Sequence, residues 1–307
     1  GLKGFKFGNL IPVSNQNDVV FITIAILLVL FIVQRLGTSS IGKTFGVVMV
    51  FWFGFLAVFG FANMCKDLTV LRALNPIYGL QVLFSPHNKM GIFILGSIFL
   101  ATTGAEALYS DMGHVGRRNI YITWPFVYLS LILNYFGQGA WIIHQIKHQT
   151  VTSNINPFYD MLPHSVYLIG VIIATLAAII ASQALITGSY TLVEEAIGLK
   201  ILPRLKVYHP NVLKGQIYIG VVNWILCAIT LSVVFFFRTS EHMEAAYGLA
   251  ITLTMLMTTF LLFEYIRGRW STPLALTCLL FFGTIETIFF ISSLVKFVHG
   301  GYVTALI

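Results

Sequence analysis

Eight apolar runs, each about long enough to cross a bilayer, follow one another along this chain with almost no charge inside them. They fall at approximately residues 19–35, 41–62, 91–109, 120–143, 165–193, 216–237, 245–266 and 272–295. Hydrocarbon offers no partner to a backbone amide, so a chain built this way must span as helices or as a closed barrel. Barrel strands alternate in polarity. These runs do not; they are continuous Phe, Ile, Leu and Val with small residues scattered through them. The composition agrees, being 57% hydrophobic and 9% charged over 307 residues, which excludes a water-soluble domain. The expected class is an all-α polytopic membrane protein, multi-pass in the cell membrane, with the lipid bilayer as its surroundings.

The charges that remain report topology. Counted by alternate connections, ten Lys and Arg fall on one side and eight on the other. The first side packs Arg35, Lys43, Arg117, Arg118, Arg267 and Arg269 against helix ends in three very short loops. Positive charge so placed marks the cytoplasmic face. The run beginning at Gly91 then crosses from outside to inside. The net charge of +7 belongs to this pattern, and no nucleic-acid partner is expected. The chain opens at Gly1 and closes on Gly-Tyr-Val-Thr-Ala-Leu-Ile (301 to 307), which has the pattern of a further apolar helix beginning. The expectation is an internal portion of a longer protein.

Polar residues inside the runs are few, and Glu106 stands out. A carboxylate at membrane depth costs roughly 2.5–3.5 kcal/mol even on the lenient insertion scale, so it faces a bundle interior or a wet cavity. Thr102 and Thr103 precede Glu106 by four and three residues and share its side of a helix. Gly104 lies between them, where a helix can come apart and bare its carbonyls. Hydroxyls, carbonyls and a carboxylate together describe a site for a hard cation. Asp111 and His114 follow at the helix end and read as capping or loop residues.

Four other clusters remain. Asn134 and Gln138 are four apart beside Gly137 and Gly139, as amides that glue two helices or line a pathway. Gln183, Thr187 and Tyr190 follow one helical line, which favours a helix interface. Tyr247, beside Gly248, is either an aromatic anchor at the membrane boundary or a pathway residue. Glu286 is the second deep carboxylate, expected to pair with a helix outside this chain or to sit at a subunit contact. The cysteines, Cys65, Cys227 and Cys278, show no pairing and read as packing residues, and the histidines form no ligand set. No metal, no cofactor and no enzyme motif is expected.

The stretch from Thr103 to Arg117, TGAEALYSDMGHVGR, followed by LNYFGQGA at 133 to 140, closely resembles the KUP/HAK/KT family of potassium uptake permeases. Leu74-Asn75-Pro76, Ala181-Ser182-Gln183-Ala184, Gly215-Gln216-Ile217-Tyr218 with Asn223-Trp224, and Ala246-Tyr247-Gly248 continue the resemblance in the family's order along nearly the whole chain. It implies the inverted-repeat arrangement of LeuT-like transporters, the APC superfamily. In that arrangement the first helix of each repeat is broken at the substrate site. On this mapping 1–307 is one transmembrane domain that lacks the first three helices. Residues 19–62 would be the last two helices of repeat one, 91–266 the second repeat, and 272–307 the eleventh helix with the start of the twelfth. Glu106 and Thr103 then lie on the broken helix of repeat two, with Tyr247 near the pathway. An Asp and a Tyr on the family's first helix have no counterpart here.

The implied function is potassium uptake by alternating access, with the proton as coupling ion and potassium as substrate. A carboxyl such as Glu106 can exchange protonation against cation occupancy. A homodimer would form through regions outside this chain. The other readings are a channel-like potassium pathway, another APC-type permease, and a non-transporting structural or receptor subunit. A channel filter would need carbonyl rings of the TVGYG kind, and no such loop is present.

Overall fold

A computed structural model describes residues 6–7, 11–12, 16–34, 39–85, 91–103, 117–148, 155–208, 217–295 and 297. A two-residue antiparallel ladder opens it, β1 (Lys6–Phe7) with β2 (Ile11–Pro12). The helices follow: α1 (Gln16–Val33), α2 (Ser39–Met64), a 3-10 helix at Leu68–Leu74 and α3 (Pro76–Leu83). Next comes a segmented helix made of a 3-10 turn at Gly91–Ile94, α4 (Leu95–Ile98) and a second 3-10 turn at Phe99–Thr102. The rest are α5 (Arg117–Lys147), α6 (Pro157–Asp160), α7 (His164–Gly198), α8 (Gly220–Phe237), α9 (Ser240–Arg269) and α10 (Thr272–Leu294). Six stretches among the described residues are long and apolar enough to cross a membrane: Thr44–Met64, Arg118–Lys147, His164–Gly198, Gly220–Phe237, His242–Arg269 and Thr272–Leu294. A shorter apolar helix covers Asn17–Val33.

Seven of the eight apolar runs thus form one helix each. The run at 91–109 does not. Its described part is three short pieces, and the helical course stops at Thr102. Three small helices, at 68–74, 76–83 and 157–160, occupy what the sequence leaves as connections. The start of α3 is written locally. Asn75 Oδ1 accepts the Ile77 amide at 3.1 Å, and Pro76 fills the first helical position, where a missing amide costs nothing.

Several hydroxyls within the helices find their hydrogen-bond partner in their own backbone. Thr23, Ser130, Thr175, Ser182 and Thr254 each donate to the carbonyl four residues earlier, at 2.8 to 3.0 Å. Such back-bonding satisfies a hydroxyl without a second helix. Large apolar side chains lie exposed along the spans, as they do when lipid is the solvent. On α2, Val47, Phe51, Val58 and Phe61 are exposed, whereas Leu56, Gly60 and Asn63, at i, i+4 and i+7, are buried.

The chain forms two compact units. The first comprises 1–74 and 105–232. Here α2 lies along α5 at very close range, because Gly60 and Gly137 face each other. A Cβ at Gly60 would fall on the Leu133 carbonyl and the Asn134 amide, and one at Gly137 on the Gly60 backbone. A second core joins α1, α7 and α8 through Leu30, Phe31, Ile186, Tyr190, Tyr218, Ile219 and Cys227. The second unit comprises 75–104 and 233–307, with α9 packed along α10 and the segmented helix seated on α10.

Candidate functional site

Thr103 is where the helix bearing the predicted cation site ends. Its backbone is extended, with φ −78° and ψ 169°, directly after the last helical turn at Phe99–Thr102. The Thr103 hydroxyl donates back to the Leu100 carbonyl at 2.8 Å, tying the extended residue to the helix it leaves. The carbonyl end of a helix carries partial negative charge. A hydroxyl oxygen with free lone pairs stands at that end. The combination suits a cation better than an anion. Glu106 lies outside the described residues. Thr102 closes the last helical turn, and its side chain lies outside the description.

The same unit contains Tyr247 and Glu286. Tyr247 sits seven residues into α9, about 10 Å along it, with its side chain half exposed and no hydrogen bond among the described residues. Its neighbour Gly248 faces the segmented helix: the Phe99 ring and the Leu100 side chain come within 3.5 and 3.7 Å of where a Cβ at Gly248 would be. Glu286 on α10 accepts a hydrogen bond from Thr259 on α9 at 2.8 Å through Oε1. Its Oε2 is buried without a partner among the described residues. An open groove of about 490 Å³ runs beside this pair, lined by Thr259, Gly283, Thr284 and Thr287 with apolar neighbours. The partner of Glu286 is thus on a neighbouring helix of this chain, and not on a helix outside it or at a subunit contact as the sequence reading expected.

The amides fall in the other unit, at two different places. Asn134 is buried at the tight crossing of α2 and α5, with Oδ1 unpartnered among the described residues. Gln138, one turn on, is half-buried. Gln183 joins Gln34 in a reciprocal pair, each amide donating to the other's oxygen, at 2.6 and 2.9 Å. A few residues further along α7, the Tyr190 hydroxyl donates to Asn223 Oδ1 at 2.6 Å. Asn223 Nδ2 in turn donates to the Phe31 carbonyl near the end of α1 at 3.2 Å. Asn223 and Tyr190 are almost wholly buried, so this is a dry polar link among three helices.

Sequence reasoning missed Gln34, Thr259 and the role of Asn223. Gln34 and Asn223 are single amides at the edges of apolar runs, and nothing local names their partners 149 and 192 residues away. It also missed Asp67 at the other end of the same unit. There Asp67 Oδ2 accepts from Lys147 at 2.5 Å, and its Oδ1 takes the Thr69 amide at 3.0 Å. The lysine, then the threonine hydrogen bonds, hold the Asp67 carboxyl down at about 2. No group of three or more His, Cys, Asp or Glu among the described residues could hold a metal ion.

Residues 7–307 match the family described as K+ potassium transporter integral membrane domain. The chain belongs to that family. It is an integral membrane protein. A probable potassium transport system protein Kup of Ligilactobacillus salivarius is 62% identical over 308 residues, covering 100% of this chain and 46% of the relative. Proteins of the same description from Lactobacillus gasseri and Latilactobacillus sakei are 59% and 58% identical, with 100% of this chain covered and 45% and 46% of theirs. The chain therefore spans about half the length of the curated relatives it matches. No solved structure matches it. Family membership agrees with the resemblance carried by the motifs around Thr103, Asn134 and Tyr247.

Proposed function

We propose that this chain is the membrane core of a secondary active potassium importer, a potassium–proton symporter working by alternating access. One observation carries the reading: within an apolar run the helical course stops at Thr102, and Thr103 leaves it extended with its hydroxyl bonded back to the Leu100 carbonyl. Breaks of this kind are tolerated at membrane depth only where the backbone lines a cavity or is buried in protein. In transporters built on inverted repeats such a break marks the substrate site. The names of the related proteins, potassium transport systems, support the cation.

In this reading Thr103, with Thr102, supplies oxygens to potassium, and Glu106, three residues beyond the break, balances its charge. When potassium leaves, a proton neutralises the carboxylate, so the site crosses the membrane near neutrality. Tyr247, half exposed on α9, stands beside the pathway. The scaffold is LeuT-like. In it α1 and α2 end the first repeat, 91–266 form the second, and 272–307 carry the eleventh helix and the start of the twelfth. The resemblance further implies a homodimer through regions outside this chain.

The test is uptake in potassium-depleted cells lacking other uptake systems, with the protein as its cell makes it. Glu106→Gln is expected to abolish concentrative uptake at normal membrane abundance. Thr103→Ala is expected to raise the potassium KM. Wild-type uptake in both variants would move the chemistry away from this helix.

A further inference from the structure

The helix that ends at Thr103 is short, and its position is set from outside itself. Phe99, four residues before Thr103, is 1% exposed. Its ring packs against Phe289 of α10 with centroids 5.7 Å apart, and meets the Gly248 surface of α9. One turn earlier Gly96 lies directly on the α10 backbone. A Cβ there would sit 2.7 Å from the Ser292 carbonyl oxygen and 2.9 Å from its carbon. Real side chains do not sit that close to backbone, so Gly96 is the residue that lets the two helices touch. Ser292 and Ser293 are buried beneath it, and the Ser292 hydroxyl bonds Ile288 of its own helix at 2.7 Å. The platform is itself fastened, because Thr259 of α9 donates to Glu286 of α10.

From these contacts we infer that α10 positions Thr103: Gly96, Ser292 and Phe289 form a backbone seat that sets how far Thr103 reaches into the cation site, and so tune affinity and size preference among alkali cations. The inference rests on the reading of Thr103 as a cation ligand. Only six residues separate Gly96 from Thr103, all in helical turns, so a displacement at the seat is passed on rather than absorbed. Cation preference depends on the number and placement of such oxygens. A structural seat alone would change abundance or stability. A positioning seat changes KM and the rubidium-to-potassium ratio.

The experiment measures potassium KM, maximal rate per transporter and the rubidium-to-potassium uptake ratio for wild type, Gly96→Ala, Phe289→Leu, Gly283→Ala and Thr103→Ala. Gly96→Ala is expected to raise the KM about tenfold, as small misplacements of binding groups do, and to shift the ratio with a smaller change in maximal rate. Phe289→Leu, a milder loosening from the α10 side, is expected to move both quantities the same way and serves if Gly96→Ala does not reach the membrane. Gly283→Ala adds a methyl on the same helix with nothing nearer than 4.0 Å and is expected to match wild type. Wild-type KM and ratio in Gly96→Ala and Phe289→Leu, alongside a raised KM in Thr103→Ala, would overturn the seat and leave the cation site standing. An unchanged Thr103→Ala would overturn the cation-site reading, and the seat with it.

Discussion

Asn223 shows how much one side chain can be asked to do in a dry bundle. It accepts from Tyr190 and donates to the Phe31 carbonyl, so its loss strands two polar groups where no water reaches. A stranded buried group costs about 1–3 kcal/mol. Asn223→Leu is therefore expected to lower the thermal midpoint of purified protein more than Tyr190→Phe, which strands one; equal losses would mean that water enters the site. The Gln34–Gln183 pair calls for a double-mutant cycle, with an expected coupling of about 0.6–2 kcal/mol, as for interhelical amides in membranes. Asp67 responds to pH. Its carboxyl stands at about 2 against an ordinary 3.8, so the contact with Lys147 and Thr69 stabilises fully above 3.8 and is lost as pH falls through about 2. The gap in thermal midpoint between wild type and Asp67→Asn should be constant from neutrality down to that window and then close. A gap that stayed open in strong acid would show that the ion pair does not hold the end of α5.

At the scale of elements, what the sequence reveals is the apolar length and what it hides is the pairing. Runs such as 165–193 and 272–295 could be placed within a few residues because only a helix can carry them through hydrocarbon. The segment at 91–109 looked the same by composition. Its described part stops being helical at Thr102, whereas Gly104, where the sequence reading expected the helix to come apart, lies outside the described residues. The small helices at 68–74 and 157–160 were invisible because they lie outside the spans, where apolar length no longer constrains the backbone. The close approach of α2 to α5 was legible in part: Gly137 beside Asn134 suggested it, but Gly60 as partner could be found only in three dimensions. Gly60→Ala is expected to force these helices apart and cost about 1–3 kcal/mol, the usual penalty of overpacking. Gly54→Ala, where nothing lies within 4 Å, should be silent in the same thermal assay.

For the whole molecule, the charge pattern and the contacts agree within the first unit. The end of α2 and the end of α5 meet at Asp67 and Lys147, which the charge count places outside. The end of α1 meets α7 at Gln34 and Gln183, towards the side it places inside. Thr103, Glu106 and Tyr247 stand out in the sequence because polar groups are rare in these runs; of the three, the structure describes Thr103 and Tyr247. The contacts of Gly96, Phe99 and Ser292 do not show in the sequence, where they look like ordinary span residues until α10 is laid against them. In the proposed symport, potassium should move with a proton. Purified protein in proteoliposomes with a pH indicator outside tests it most directly. Adding external potassium at clamped zero voltage should bring protons in with it and alkalinise the outside, and Glu106→Gln should remove that signal. Potassium entry with no proton signal, following voltage alone, would contradict the symport and favour a channel-like pathway.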